Sequence, residues 1–286
     1  MTGDRPAPAA PTDSRNGGLR PLVVKIGGTV AADMECTALL LEELSAVGRP
    51  AVLVHGGGKT VSAMSTKLGM NPQFRDGIRI TTPAEMEVVD MVLAGRVNTE
   101  LVRLASGRNI PALGLTGADG GLLVGRILVP GDTDFEPDSV LDTRTARPHQ
   151  VNLAVLKMAL SAGYLPIVAT VGIGEDGAAV NINADEAAQA IAEAMDGATL
   201  CYLSDIPGVL DATDTVIREI DPNTVESLIT SGIARDGMAA KLRSCALAVQ
   251  SGVGEVMIGQ YLQRGDLKHL IHGDAGSAIR AVHRTG

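Results

Sequence analysis

Three times along this chain a short β-rich apolar run ends in a cluster of glycines. PLVVKI (21–26) runs into Gly27 and Gly28, AVLVH (51–55) into Gly56, Gly57 and Gly58, and PALGL (111–115) into the glycines from Gly114 to Gly121. Helical patterns follow. Met34, Leu40, Leu41, Leu44 and Val47 fall close to helical spacing after the first cluster, and Val61, Met64 and Leu68 stand at i, i+3 and i+7 after the second. Strand, glycine turn and helix in alternation predict an α/β fold: a three-layer αβα sandwich around a mostly parallel central sheet. Ligands in such sheets bind beyond the carboxyl ends of the strands, where these glycines lie.

The rest of the chain extends the pattern. Two helices are expected over 84–94 and 98–106. LLVGRILV (122–129) reads as an antiparallel strand, and the polar stretch after it, to about 150, as a hairpin or flap covering a site. A helix near 152–162, strands at 165–170 and 179–183, and an Ala-rich helix over 184–196 stopped by Gly197 come next. A strand at 198–203 is followed by Asp221 as N-cap with Pro222 at the first helical position. A helix from near Met238 to Gly252 and a strand at 255–258 complete the series. One continuous sheet with two lobes is expected, 21–178 and 179–286, after a Pro- and Gly-rich disordered tail at 1–20.

Composition narrows the function. The net charge is −9, with 34 glycines in 286 residues, two Phe, three Tyr and no Trp. Sequence-tolerant nucleic-acid binding uses a positive groove with stacking aromatics, which this chain does not offer. No apolar run approaches the ~18–20 residues of a membrane span, and the first twenty residues lack the apolar core of a secretory signal. Cys36, Cys201 and Cys245 are too scattered for a disulfide framework or zinc site. They read as buried thilos of a reducing compartment, and a cytoplasmic protein is expected. Many glycines and few aromatics point to a site built from backbone N–H groups around a compact polar ligand.

Known phosphate loops fail in detail. GGGKT (56–60) looks like the end of a P-loop, but the pattern needs glycine at position 53, which holds Leu53. No G-x-G-x-x-G stands between a strand and a helix. Lys25 ends an otherwise apolar strand beside Gly27 and Gly28; it either snorkels to solvent or serves a site in the space the glycines open. Lys241 sits in the first turns of a helix, where the dipole disfavours a cation unless an anion is bound; a surface lysine is the alternative. NINAD (181–185) alternates Asn181, Asn183 and Asp185 as a strand enters a helix, with capping by Asn183 as the structural alternative to a site. SDIPGVLDA (204–212) is a turn after an apolar strand. Arg79, between Ile78 and Ile80, is suited to gripping a carboxylate bidentately. His55 borders the second glycine loop and is read as packing or hydrogen-bonding there.

In order, KIGG (25–28), VLVHGGG (52–58), DGIRIT (76–81), LAGRVNTELV (93–102), GYLPIV (163–168) with VNINADEAA (180–188), LSDIPGVLD (203–211) and DGMAAKL (236–242) resemble the amino acid kinase family, and within it the branch that acts on N-acetyl-L-glutamate. The resemblance covers about 21–280. It implies ATP-dependent phosphorylation of a carboxylate, with the amino-terminal lobe holding the acyl amino acid and the other lobe ATP with Mg2+. By the same resemblance Lys25 and Lys241 contact the transferring phosphoryl group and Asp185 holds both lysines. Gly28, Gly57 and Gly58 supply backbone donors, and Arg79, Asn181 and Asn183 bind the substrate. Gly27, Asp205, Ile206, Pro207, Gly208, Val209, Leu210, Ile233, Ala234, Arg235 and Met238 line the nucleotide. No metal is expected beyond the Mg2+ carried by ATP.

Two departures from the family shape the remaining expectations. Many similar enzymes carry an amphipathic helix ahead of the first strand that links dimers into arginine-inhibited hexamers. Here that stretch is rich in Pro, Ala and Gly, so a homodimer insensitive to arginine is expected. The segment 131–150 does not follow the family's pattern, which leaves a related acyl amino acid, or carrier-bound glutamate or aminoadipate, as alternative acceptors. A catalytically inactive amino-acid sensor is the alternative from another class.

Overall fold

The computed structural model describes residues 19–75, 78–128 and 143–281. The expected tail up to residue 18, the hairpin segment 129–142, and Asp76 and Gly77 lie outside the described residues.

The first two crossovers form as the sequence predicts. β1 (Leu22–Ile26) passes through Gly27 into a short helix α1 (Gly28–Ala32) and then α2 (Met34–Ala46). Asp33 caps α2 by accepting from the Cys36 N–H at 3.0 Å. β2 (Ala51–His55) is buried throughout and turns through Gly56 and Gly57 into α3 (Gly58–Lys67). A small antiparallel pair, β3 (Gln73–Arg75) and β4 (Ile78–Ile80), precedes α4 (Pro83–Asp90), whose N-cap Thr82 accepts from the Glu85 N–H.

The next stretch departs from expectation. Two separate helices do not form over 84–94 and 98–106. Instead α4 runs into an eight-residue π segment, Met91–Asn98, and on into α5 (Thr99–Ser106). A π turn holds more residues than an α turn, so it shifts the apolar phase. Periodicity alone then reads one helical run as two.

β5 (Ala112–Thr116), β6 (Leu123–Ile127), β7 (Thr145–Val151), α6 (Ala154–Ser161) and β8 (Leu165–Ala169) follow. Then come β9 (Val171–Gly174), β10 (Ala179–Ile182), α7 (Ala184–Ala194) and β11 (Thr199–Ser204). After β12 (Glu219–Ile220), Asp221 caps a 3-10 turn at Pro222–Thr224 rather than an α-helix, and α8 (Val225–Thr230) continues from it. α9 (Asp236–Gln250), β13 (Glu255–Gln260), α10 (Asp266–His272) and β14 (Ser277–Ile279) close the fold.

Eight strands form the main sheet in the order β12-β14-β13-β11-β1-β2-β8-β5, with every neighbour parallel except β13 and β14. Alternation along β1 shows both faces covered. Leu22, Val24 and Ile26 pack with Leu40 and Leu41 of α2, Leu101 of α5 and Leu270 of α10. Val23 packs on the other side with Ile191 of α7 and with Leu242 and Cys245 of α9. Period-two geometry puts Lys25 on the Val23 face, toward α7 and α9. This is the three-layer sandwich, with the mostly parallel sheet in the middle.

The expectation of one continuous sheet is corrected. β6, β7, β9 and β10 form a separate four-stranded closed barrel in the order β10-β7-β6-β9. β6 and β7 pair antiparallel, as the legs of the expected hairpin. Of the four strands only β9 was not expected; it pairs with β6 and β10, and VGIG (171–174) carries two glycines. Its glycines are packed positions: a Cβ on Gly172 would stand 2.7 Å from Ile182 Cδ1.

Candidate active site

The site lies where β1, β2, β10 and α7 meet. A cleft of about 240 Å³ is lined by Lys25, Gly28, Gly57, Gly58, Arg79, Asn181, Asn183 and Asp185, among others. All eight are residues singled out from the sequence.

Asp185 organises the charged end. It is the second residue of α7, and Asn183 caps that helix by accepting from the Asp185 N–H at 2.8 Å and the Glu186 N–H at 3.4 Å. Asn183 therefore fixes the turn that carries Asp185. Asp185 Oδ1 is 2.6 Å from Lys25 Nζ, and its Oδ2 is 3.4 Å from Lys241 Nζ. Burial pushes its carboxyl up, but the two ammonium groups together hold it below the usual carboxylate range. Two lysines around one carboxylate leave a net positive charge beside two glycine loops.

Tyr202 completes this end, and the sequence reading missed it. In β11 it lies in register with Lys25. Its ring centroid is 4.4 Å from Lys241 Nζ, and its hydroxyl donates to the Asp185 carbonyl at 3.2 Å. The ring thus holds the second lysine by a cation–π contact. No local sequence signal marks it, because the register that brings it to Lys25 is tertiary.

The glycines play unlike roles. A Cβ on Gly58 would meet nothing described within 4 Å, and one on Gly28 only Lys59 Cδ at 4.0 Å, so both leave backbone open to the cleft. A Cβ on Gly57 would stand 2.7 Å from Leu93 Cδ2 of the π segment. There glycine is needed for close packing.

Arg79 forms the opposite wall from β4. Its guanidinium donates to the Gly58 carbonyl at 3.0 Å and to Ser62 Oγ, and lies 4.6 Å from the Phe74 ring centroid. Nη1 is 3.5 Å from Glu85 Oε1 without a hydrogen bond. Burial lowers its pKa while Glu85 opposes the shift. Ser62, Phe74 and Glu85 were not expected at this wall; their contacts depend on how β3, β4 and α3 pack. Asn181, in β10, donates to Thr81 Oγ1 at 2.9 Å.

The segments expected at the nucleotide lie outside the lining of this cleft. Asp205, Ile206, Pro207, Gly208, Val209 and Leu210 form the turn after β11. Asp205 Oδ2 accepts from Thr29 Oγ1 at 3.4 Å, and the Val209 N–H donates to Ser277 Oγ at 2.9 Å. Ile233, Ala234 and Arg235 lead into α9, and Met238 is in its first turn. The Val209 and Ala234 side chains belong to the core. His55 is buried beneath Gly56, hydrogen-bonded to its carbonyl at 2.8 Å and to Asn98 at 3.0 Å, as expected for a packing role. The three cysteines are free and buried.

A parallel α/β sandwich with two glycine loops facing a lysine–aspartate–lysine cluster is the apparatus of a phosphotransferase working on an anionic acceptor. The chain belongs to the amino acid kinase family, whose sequence profile matches residues 20–260. It is 40% identical to an acetylglutamate kinase of Methanopyrus kandleri over 241 residues, covering 82% of this chain and 93% of that protein. It is 37% identical to an acetylglutamate kinase of Erythrobacter litoralis over 270 residues, covering 92% and 90%. Among solved structures it resembles smu.665 from Streptococcus mutans, with TM-score 0.73, 24% identity and coverage of 92% and 99%. It also resembles carbamate kinase from Giardia lamblia, with TM-score 0.66, 18% identity and coverage of 93% and 99%.

Proposed function

We infer that the chain phosphorylates the γ-carboxylate of N-acetyl-L-glutamate with ATP, giving the acyl phosphate and ADP. The lysine–aspartate–lysine cluster at the glycine loops is the observation that carries this, together with kinship to acetylglutamate kinases over most of the chain.

A carboxylate acceptor is already ionised near neutral pH and needs no general base. This suits a cleft in which the histidine nearest the glycine loop, His55, is buried and hydrogen-bonded. One carboxylate oxygen forms a bond to the γ-phosphorus while the bond to the ADP oxygen breaks. Two anions must approach, so the work is positioning and charge neutralisation. Lys25 and Lys241 face the transferring group, and Asp185 holds them at their spacing. Gly28, Gly57 and Gly58 offer N–H donors to the phosphoryl oxygens, and Arg79, Asn181 and Asn183 hold the acceptor. The 205–210 and 233–238 segments hold the nucleotide through backbone and aliphatic groups. Among the described residues no three of His, Cys, Asp or Glu converge as a metal cage. Mg2+ carried with ATP would supply charge neutralisation of the phosphates.

No helix among the described residues is long and apolar enough to cross a membrane. We place the protein in the cytoplasm as a homodimer, with β5 at the open edge of the main sheet and Tyr164 and Met158 exposed nearby in the chain. Light-scattering mass tests the dimer, and a hexamer would refute it. The activity is tested by ADP release with N-acetyl-L-glutamate, glutamate, aspartate and carbamate offered separately. Turnover highest with N-acetyl-L-glutamate is expected; preference for another acceptor would reassign the substrate, and no turnover with any would favour a sensor.

A further inference from the structure

His55 is the buried histidine of the described residues, and the mechanism gives it no proton to carry. Its surroundings give it another task. An amide nitrogen can only donate, so the 3.0 Å contact with Asn98 Nδ2 makes the imidazole Nε2 an acceptor. Nδ1 then carries the proton and donates it to the Gly56 carbonyl at 2.8 Å. Asn98 also donates to the carbonyls of Ile167 in β8, at 2.8 Å, and Leu115 in β5, at 3.4 Å. These two acceptors fix which end of its amide faces the sheet. Burial keeps the ring neutral, with its pKa pulled down to about 4.

Peptide planarity carries the effect one bond further. The Gly56 carbonyl and the Gly57 N–H belong to one trans peptide and point in opposite directions. A carbonyl turned in toward the imidazole sends the Gly57 N–H outward. Gly57 lines the cleft, and its N–H meets no acceptor among the described residues. The π segment grips the same glycine from the other side, because a Cβ there would meet Leu93 Cδ2 at 2.7 Å and Val97 Cγ2 at 3.3 Å. Asn98 is the last residue of that segment. One wide helical turn therefore supplies both the apolar stop behind Gly57 and the polar link to Gly56.

We infer that the π segment, through Asn98 and His55, aims the Gly57 N–H at the transferring phosphoryl group. His55 and Asn98 are then positioning residues. This rests on the proposed acyl-phosphate chemistry.

The test compares wild type with His55→Asn, His55→Leu and Asn98→Leu by steady-state ADP release. Asparagine places an amide nitrogen where imidazole Nδ1 stands and keeps the donor to Gly56; leucine does not. A donor aimed at developing charge acts on kcat. His55→Leu is expected to lower kcat on the order of 10²-fold with little change in either KM, and His55→Asn to recover most of the loss. Equal losses in both variants, or a raised KM with kcat intact, would overturn the inference. Leu156→Ala, buried in α6, is the control for lost stability and should keep kcat at 25 °C. If the His55→Leu protein does not fold, nitrogen-15 spectra of the wild-type imidazole decide: the Nδ1–H tautomer supports the inference and the Nε2–H tautomer overturns it. Wild type inactive with N-acetyl-L-glutamate would sink the assigned acceptor alone. The variant ratios would then be read on whichever acceptor turns over.

Discussion

Lys25 and Asp185 meet at 2.6 Å, joining a central strand to the first turn of α7. The second oxygen of the same carboxylate reaches Lys241 of α9 at 3.4 Å. One acid thus holds two like charges close together and leaves a local surplus of positive charge.

Replacing either lysine should damage chemistry far more than folding. Lys25→Ala and Lys241→Ala are each expected to lower kcat by on the order of 10²-fold or more, with thermal midpoints close to wild type. Near-normal turnover in both would sink the mechanism.

Asp185→Asn removes the charge that spaces the lysines, and kcat should fall. It also has a pH signature. The folded carboxyl titrates below its unfolded value because of Lys25 and Lys241, despite burial. Its stabilising contribution is present above the unfolded pKa, about 3.9, and is lost as pH falls through the lower folded value. Chemical-denaturation curves below pH 4 should therefore show a weaker acid loss in Asp185→Asn than in wild type. Identical slopes would contradict the ion-pair geometry.

His55 predicts a second, separate pH window. Unfolded histidine takes up a proton near pH 6.5, whereas the buried ring does so only near about 4. Between those values the unfolded chain binds more protons, so stability falls as pH is lowered, by roughly 3 kcal/mol at the acid end. Denaturation of His55→Asn across the same range should be flatter by that amount.

Asn183→Ala tests whether the cap and the site are one device. Losing an N-cap costs about 1 kcal/mol, and here the freed turn carries Asp185. A lowered thermal midpoint together with a lowered kcat is expected. A stability loss with kcat intact would limit Asn183 to capping.

Arg79→Lys keeps the charge but loses the fork that reaches Gly58 and Ser62 together. KM for N-acetyl-L-glutamate should rise by roughly tenfold or more, with the KM for ATP less affected. Competition by unphosphorylated analogues would read the same loss directly.

The layered fold was legible because it is written locally. Apolar runs end in glycines, and Asn183 stands where a helix must be capped. Lys25 and Lys241 were each ambiguous alone. They lie more than 200 positions apart, and only resemblance to known kinases joined them. Tyr202 stayed hidden because cross-strand register is not local. The π segment stayed hidden because one extra residue per turn imitates a helix break. The barrel's β9 stayed hidden; its four residues include the packed glycines at 172 and 174.

The barrel shares no strand with the eight-stranded sheet. Asn181 and Thr145 sit on it, whereas Lys25, the glycine loops and Lys241 are anchored to the main sheet and its helices. If Asn181 holds the acceptor as proposed, changes in the barrel would alter acceptor choice while the lysine–aspartate–lysine cluster on the main sheet and its helices stays in place. β8 passes through Thr170 directly into β9, and the run from Asn181 to Asp185 carries β10 directly into α7; this second junction holds both a barrel residue and the acid that binds two lysines, and is where a redesign of acceptor choice has least freedom.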